Sequence, residues 1–405
     1  MSETGPSSAP LTDGELKEAA RPSPWRDVRV LRAAGQVLFV VILVVIAREM
    51  YLNATFAIGS AGRELSYTYL DSRAGFAIKE HIVGYSSNQP LYKAFLVGAT
   101  NAMLVGAAGI VMATVLGVLI GVARLSPNWM VRKIALVYVE VFRNTPLLVQ
   151  VIFWYVAVIL AIPRIEDSVS VFGLAFVSNR GAALPAIRSG ADFGTWSLFA
   201  LAALLVAAIV WRWRTRVHER TGGPHYRWLS SLAVMAALAA AGYVIAGDAF
   251  AVELPELIAH GYSGGLQMSP EFAGILVALV FYTAAFIGEI VRGSILAVSK
   301  GQKEAAQALG LSPGQQLRLV VLPQAMRTAI PPINNQYLNL WKNTSLAFAV
   351  GFPDLINIST TMVNQAGHAL ETFSLVVGTY LGTSLLISFG MNIVNRAVAL
   401  RGGTA

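Results

Sequence analysis

The sequence predicts an all-α polytopic membrane protein with about eight transmembrane helices. Three observations carry that reading. Of its 405 residues, 55% are hydrophobic and only 13% are charged, where a soluble domain carries about 25% charged residues. The mean hydropathy is +0.60. The apolar residues also gather into runs near the length of about 20 residues that crosses the hydrocarbon core. This composition excludes a disordered chain, a secreted disulfide module and an ordinary cytosolic enzyme. With no Cys there is neither a disulfide framework nor a thiolate metal site.

The elements follow in order. Residues 1–32 read as a cytoplasmic tail, disordered over 1–26 where Ser, Pro, Gly and charge dominate. The first span, 33–47, is short, and Arg32 and Arg48 bracket it and can snorkel. It reads as an uncleaved anchor, since the tail holds acidic residues and Arg48-Glu49 interrupts the approach to Thr55-Phe56-Ala57, a weak cleavage site. The remaining spans are 94–123, 134–162, 195–211, 229–246, 272–298, 329–350 and 373–394. Between them, 48–93 and 163–193 read as polar loops.

Basic residues set the orientation. With the N-terminus inside, the inner segments hold Arg124, Arg132 and Lys133, then Arg212, Arg214, Arg216, Arg220 and Arg227, then Lys300, Lys303, Arg318 and Arg327, then Arg396 and Arg401. The outer loops at 247–271 and 351–371 hold no Lys or Arg. Both termini are therefore expected in the cytoplasm. Topology accounts for the net charge of +8, so nucleic acid is not an expected partner. Trp211, Trp213, Tyr226 and Trp228 fit an interfacial aromatic belt.

The loop at 299–323 is punctuated as a helical elbow. Ser299 with Gln302 forms one potential capping box and Ser312 with Gln315 a second. Gly310 suits a left-handed C-terminal position, Pro313 a first helical turn, and Pro323 the next boundary. A loop capped this way reads as a docking surface more than a linker.

The spacing Glu304-Ala305-Ala306, Gly310, Val320 and Leu322-Pro323 resembles the EAA loop of ABC-importer permeases, with Val320 where that family usually has Ile. Residues 138–150 and 340–346 resemble polar-amino-acid permeases, and the long form is most similar to the general L-amino-acid permeases. The resemblance implies a type I importer fold with a five-helix core. That core would be 94–162 and 272–396. The first helix with its loop (33–93) and the insertion 163–271 would be additions, and 397–405 a cytoplasmic end. By the same resemblance the elbow couples to a separate ATPase through Glu304, Ala305 and Gly310, with Ala306, Leu322 and Pro323 in the motif. A second, related permease and a periplasmic amino-acid-binding protein would complete a complex in the bacterial inner membrane.

Ionisable groups at membrane depth are candidate functional residues. The third span holds Glu140, Arg143, Asn144, Thr145 and Gln150, and the seventh holds Asn339, Lys342, Asn343 and Thr344. A pattern of basic-Asn-Thr-x-Leu recurs at 143–147 and 342–346. Arg143 and Lys342 suit an amino-acid carboxylate and Glu140 its ammonium. The plainer reading pairs Glu140 with Arg143 at i, i+3 and makes the amides interhelical glue. Glu289 and Arg292 share that spacing and read as a structural pair. Pro146, Pro331 and Pro332 mark candidate breaks. The five His show no metal-ligand spacing, and no Gly-x-x-x-x-Gly-Lys-Ser/Thr loop is present. No cofactor is expected on this chain, and any ATP would be bound by another subunit. The rival readings are an ion-coupled transporter or channel and an ABC permease for a non-amino-acid solute.

Overall fold

The computed structural model describes residues 28–60, 66–221, 226–258 and 261–398. Residues 1–27 of the tail read at 1–32, His225, His260 and the end beyond 398 lie outside the described residues. The chain separates into two compact units, 1–68 and 69–405.

The first unit is built on helix α1 (Val28–Ser60). Its apolar stretch Val30–Asn53 has none of its length buried within the chain. It is far longer than the 33–47 expected, because the charges do not stop it. Arg48 pairs with its neighbour Glu49 at 2.6 Å, and the Thr55 hydroxyl donates to Tyr51 O and Leu52 O at 3.0 Å. Thr55-Phe56-Ala57 lies inside the helix.

The second unit holds α2 (Leu91–Ala123), α3 (Trp129–Asn144), α4 (Leu147–Ile152, prolonged by π-helical turns Phe153–Ile159), α5 (Phe193–Thr221) and α6 (Arg227–Ala246). It continues with α7 (Pro270–Leu296), α8 (Lys300–Ala308), α9 (Pro313–Gln316), α10 (Leu322–Asn343), α11 (Leu355–Ala366) and α12 (Ala369–Val398). At its centre α2 lies against α7, and α10 packs on both. Lipid offers apolar side chains as good a home as a neighbouring helix does, so association rests on close packing. A Cβ at Gly117 would meet Ile287 Cβ at 2.7 Å, and one at Gly121 would meet Gly288 O at 2.7 Å. Gly117-x-x-x-Gly121 thus lets the two backbones approach, a feature the sequence reading passed over.

Among the described residues, six helices are long and apolar enough to span: α1, α2, α5, α6, α7 and α12. Two bent pairs raise the number to eight if each serves as one span. The expected third span is not one helix, since α3 and α4 meet at 108°. Thr145 is extended and Pro146 precedes α4. The expected seventh span starts earlier. A continuous helical stretch from α9 through π-helical turns (Leu317–Val321) enters α10, so Pro323 sits in its first turn and Pro331 and Pro332 lie inside without breaking it. Membrane helices tolerate such prolines when neighbours re-satisfy the freed carbonyls. The break comes instead after the 3-10 turn (Thr344–Val350) that continues α10, where residues 351–354 lead by a 56° bend to α11. The fourth expected span also runs longer than 195–211, to Thr221.

The stretch 163–271, expected as an insertion, is not purely helical. It carries β1 (Val169–Val171), β2 (Ala175–Ser178), β3 (Gly181–Leu184), β4 (Ala186–Ser189), β5 (Phe250–Glu253), β6 (Glu256–Ile258), β7 (Gly261–Ser263) and β8 (Leu266–Met268). They form an antiparallel sheet β1-β2-β3-β8 and the ribbons β4-β5 and β6-β7. Strands of three or four residues are too short for a legible alternation, so the polar loop expected at 163–193 and the outer loop 247–271 are in part strand. The β4-β5 ribbon closes the base of the α5–α6 hairpin. Ser269 then caps α7, its hydroxyl accepting from Phe272 N at 3.0 Å. The strands therefore stand at the end where α7 starts. The elbow stands where α7 stops, about 40 Å away for 27 residues at 1.5 Å each.

Candidate functional site

The elbow is a helical hairpin set by local chemistry. Helix α8 ends in two crossed bonds. Leu311 N donates to Ala306 O at 3.2 Å and Gly310 N to Gln307 O at 2.9 Å, with Gly310 at φ +74°. This is the Schellman arrangement, which places Gly310 where a side chain would be strained. The second capping box forms. Ser312 N donates to Gln315 Oε1 at 2.9 Å and Gln315 N to Ser312 Oγ at 3.4 Å. The first does not, for Ser299 makes no side-chain cap. Gln302 is engaged elsewhere, accepting from Gln324 Nε2 at 3.3 Å and tying the two arms together. Glu304, Ala305, Gly310 and Leu322 are exposed and Pro323 is half-buried. Ala306 is only 3% exposed and packs inward, so four of the six motif residues are presented on the surface.

Just before the elbow, Glu289 on α7 is held by two guanidinium groups. Arg292 Nε donates to Glu289 Oε1 and Oε2 at 3.1 and 3.0 Å. Arg124, at the end of α2, donates to Oε2 at 3.1 Å. The i, i+3 spacing announces the first partner, whereas the second lies 165 residues away in the chain.

Both polar segments reach the end of an α-helix. The first ends at a sharp break with Thr145 extended, and in the second Thr344 stays helical and opens a 3-10 turn. Helix α3 stops at Asn144 and α10 at Asn343, each at the end of a basic-Asn pair followed by Thr. The segments that follow meet, with Leu147 and Val151 sharing a buried cluster with Ala347 and Val350. Gln150, 4% exposed, closes the first break by donating to Phe142 O at 2.8 Å and Thr145 O at 3.0 Å. Phe142, Trp154 and Phe281 fold the second arm back, with ring centroids 4.9 to 6.4 Å apart. Gln150 is thus a brace of the bend.

Glu140 and Arg143 do not pair. Glu140 Oε2 accepts from Asn144 Nδ2 at 3.1 Å, and the Arg143 guanidinium lies 5.1 Å from the Phe286 ring. Thr145 Oγ1 donates to Val141 O. On α10, Asn339 and Lys342 are exposed and Asn343 is half-buried. Thr344 is buried and donates to Trp341 O at 2.8 Å. Glu140, Arg143, Asn144, Asn339 and Lys342 therefore stand on the outside of this chain, while Thr344 serves packing.

At the end where α7 starts lies a pocket of about 290 Å³ lined by Glu80, Ser269, Glu271, Asn357 and Thr361. Burial pushes the Glu80 carboxyl above the ordinary glutamate range, and the Glu271 charge adds to the rise against hydrogen bonds from Ser269. Nothing in the sequence marked this pocket.

Comparison with known proteins gives a consistent picture. Residues 226–400 match the family described as binding-protein-dependent transport system inner membrane component. The chain is 40% identical to the putative amino-acid ABC transporter permease protein YhdX of Escherichia coli K12, over 90% of this chain and 93% of that one. It is 39% identical to the general L-amino acid transport system permease protein AapQ of Rhizobium johnstonii, over 90% and 91%. It is 38% identical to the glutamate/glutamine/aspartate/asparagine transport system permease protein BztB of Rhodobacter capsulatus, over 89% and 92%.

Proposed function

The chain belongs to the amino-acid ABC transporter permeases, and from that premise we propose that it forms one wall of the path of an ATP-driven importer for polar L-amino acids. One observation carries the reading. Glu140, Arg143, Asn144, Asn339 and Lys342 are exposed on the outside of a bundle of membrane helices. A charge facing lipid costs about 3 kcal/mol even on insertion scales, so that face needs a polar or watery neighbour. A second, homologous permease supplies it, and the solute passes between the two. Arg143 and Lys342 receive the substrate carboxylate and Glu140 its ammonium. Thr145 stands at the bend of the first segment, and Asn343 and Thr344 open the 3-10 turn of the second.

ATP is hydrolysed by a separate ATPase seated on the elbow, where Glu304, Ala305 and Gly310 are presented and Leu322 and Pro323 form the root. This chain is a transport subunit and takes no cofactor of its own. A periplasmic amino-acid-binding protein delivers the solute at the opposite end of α7. That orientation puts both termini in the cytoplasm and the protein in the bacterial inner membrane. Residues 94–162 and 272–396 form the moving core, 299–323 couples it, and 163–271 is an insertion. ATP binding draws the ATPases together, the elbows follow, and the path alternates between its two openings.

The test is co-purification from the native host with intact protein and with Gly310→Asp, followed by uptake into proteoliposomes. An ATPase and a second permease should accompany the intact chain, and the ATPase should be lost from the variant. Uptake that needs an ion gradient and ignores internal ATP would overturn the reading.

A further inference from the structure

Two pockets lie at the end of the molecule where α7 starts. The first, about 290 Å³, holds Glu271. The second, about 260 Å³, is lined by His81, Arg180 and Tyr262. Lys79, Glu80 and Ser269 line both, so the two pockets adjoin. Together they reach the size of small-ligand sites, about 300–1,000 Å³. Their walls are tied by buried polar side chains. Asn101, 1% exposed, donates to Glu80 O at 2.8 Å and to Pro353 O at 3.0 Å, joining two sides of the first pocket. Ser178, fully buried, accepts from Arg180 N at 3.1 Å and from Tyr262 Oη at 2.7 Å, joining two sides of the second.

The charges divide between the pockets. In the first, the Tyr155 hydroxyl donates to Glu271 Oε1 at 3.3 Å, a bond that occupies one of the two carboxylate oxygens. Glu80 keeps an oxygen closed off from solvent and is a wall rather than a ligand. In the second, Lys79, His81 and Arg180 are exposed, so a dissolved anion can reach them. The charges of Glu271 and Lys79 both act on the Glu80 carboxyl, with opposite signs, so an acidic and a basic end border the same partition. An acidic end beside one richer in cations matches a solute with one ammonium and more than one carboxylate.

We propose that the adjoining pockets form a receiving site for an α-amino acid whose side chain ends in a carboxylate. Glu271 takes the ammonium, Lys79 the α-carboxylate and Arg180 the side-chain carboxylate, with His81 as a further donor. The site rests on the importer reading for the arrival of solute at this end, and it is separate from the face that carries Arg143 and Lys342. A side-chain amide keeps a hydrogen bond to Arg180 and loses the charge, so it binds more weakly. An apolar side chain offers Arg180 nothing.

The test is isothermal titration of the full chain in mild detergent with L-glutamate. L-glutamine should bind about 10-fold more weakly, as should N-acetyl-L-glutamate, which lacks the ammonium; each has lost one charge-assisted contact. These comparisons use the intact chain and need no variant to fold. Arg180→Gln should weaken L-glutamate about 10-fold and L-glutamine no more than about 3-fold, so that the preference disappears. Glu271→Gln keeps an oxygen for Tyr155, should weaken L-glutamate about 10-fold, and should leave N-acetyl-L-glutamate unchanged. Arg73→Gln removes an exposed cation that lines neither pocket and should change affinity no more than about 2-fold, because exposed charges at a distance are screened. The titration needs neither an ATPase nor a second permease, so their failure to co-purify leaves it intact. Its own failure in turn leaves coupling through the elbow intact. The proposal is overturned by no saturable binding of L-glutamate at millimolar concentration, by equal affinity for L-glutamate and L-leucine, or by equal loss in Arg73→Gln and Arg180→Gln. Binding that survives both pocket variants lies elsewhere on the chain and overturns it too.

Discussion

At the scale of single residues, side chains chosen for one reason in the sequence serve another in the fold. Gln150 looked like a polar lining residue, yet both its amide hydrogens go to carbonyls freed at the Thr145–Pro146 break. Gln150→Leu keeps the volume and strands two carbonyls. Thermal unfolding in detergent should show a loss of about 1–3 kcal/mol, the cost of unmet buried acceptors. An unchanged unfolding curve would mean the bend is held by its aromatic contacts alone. Glu80 gives a pH signature. Its carboxyl titrates above the ordinary glutamate value of 4.5, chiefly because it is buried. A raised value in the folded state means stability that is present at low pH and lost as pH rises through the folded titration. Glu80→Gln imitates the protonated form. Wild type and variant should therefore unfold alike at low pH, with the variant the more stable near neutrality. The opposite order would show Glu80 to be stabilised as the anion.

At the scale of elements, the contact between α2 and α7 depends on glycine. A side chain at Gly121 would collide with Gly288 O and Val291. Gly121→Leu should cost about 3 kcal/mol or more, the upper range of overpacking, read as a lower unfolding temperature. Gly301, in α8, is the control. A Cβ there meets nothing within 4 Å, so Gly301→Ala should raise stability by about 0.5–1 kcal/mol through helix propensity. If both variants behave alike, the helices do not approach through these glycines. The elbow belongs to this scale too. Its turn, cap and second helix were legible because each depends on residues within four positions of one another. Its first cap is absent, and the Gln302 side chain bonds Gln324 instead, 22 residues on.

At the scale of the whole molecule, the α5–α6 hairpin packs chiefly on itself. Its base is closed by β4 and β5, where Ser189 stands opposite Phe250 and Gly190 N donates to Ala249 O at 3.0 Å. Replacing 190–249 by a two-residue Asn-Gly turn would join the ribbon as a hairpin. The deletion removes two spans together, so the orientation of the spans that follow should be unchanged. The shortened chain should insert, remain monodisperse and keep its unfolding temperature within about 5 °C, a shift that corresponds to roughly 1–2 kcal/mol. Aggregation after deletion would show that the rest of the chain needs the α5–α6 hairpin.

Composition and local pattern by themselves determined the membrane class, the order of the apolar spans, the basic asymmetry of the loops and the second cap of the elbow. Each of these depends on side chains in a short stretch meeting lipid, water or a near neighbour. Only the tertiary structure decided where the third and seventh spans bend, which glycines touch backbone, which residues are exposed on the candidate path and what surrounds Glu289. Arg124 reaches Glu289 across 165 residues of chain, and β4 finds β5 across the whole hairpin. Such partners are set by packing and by the demand that buried polar groups be satisfied, and no local pattern records them.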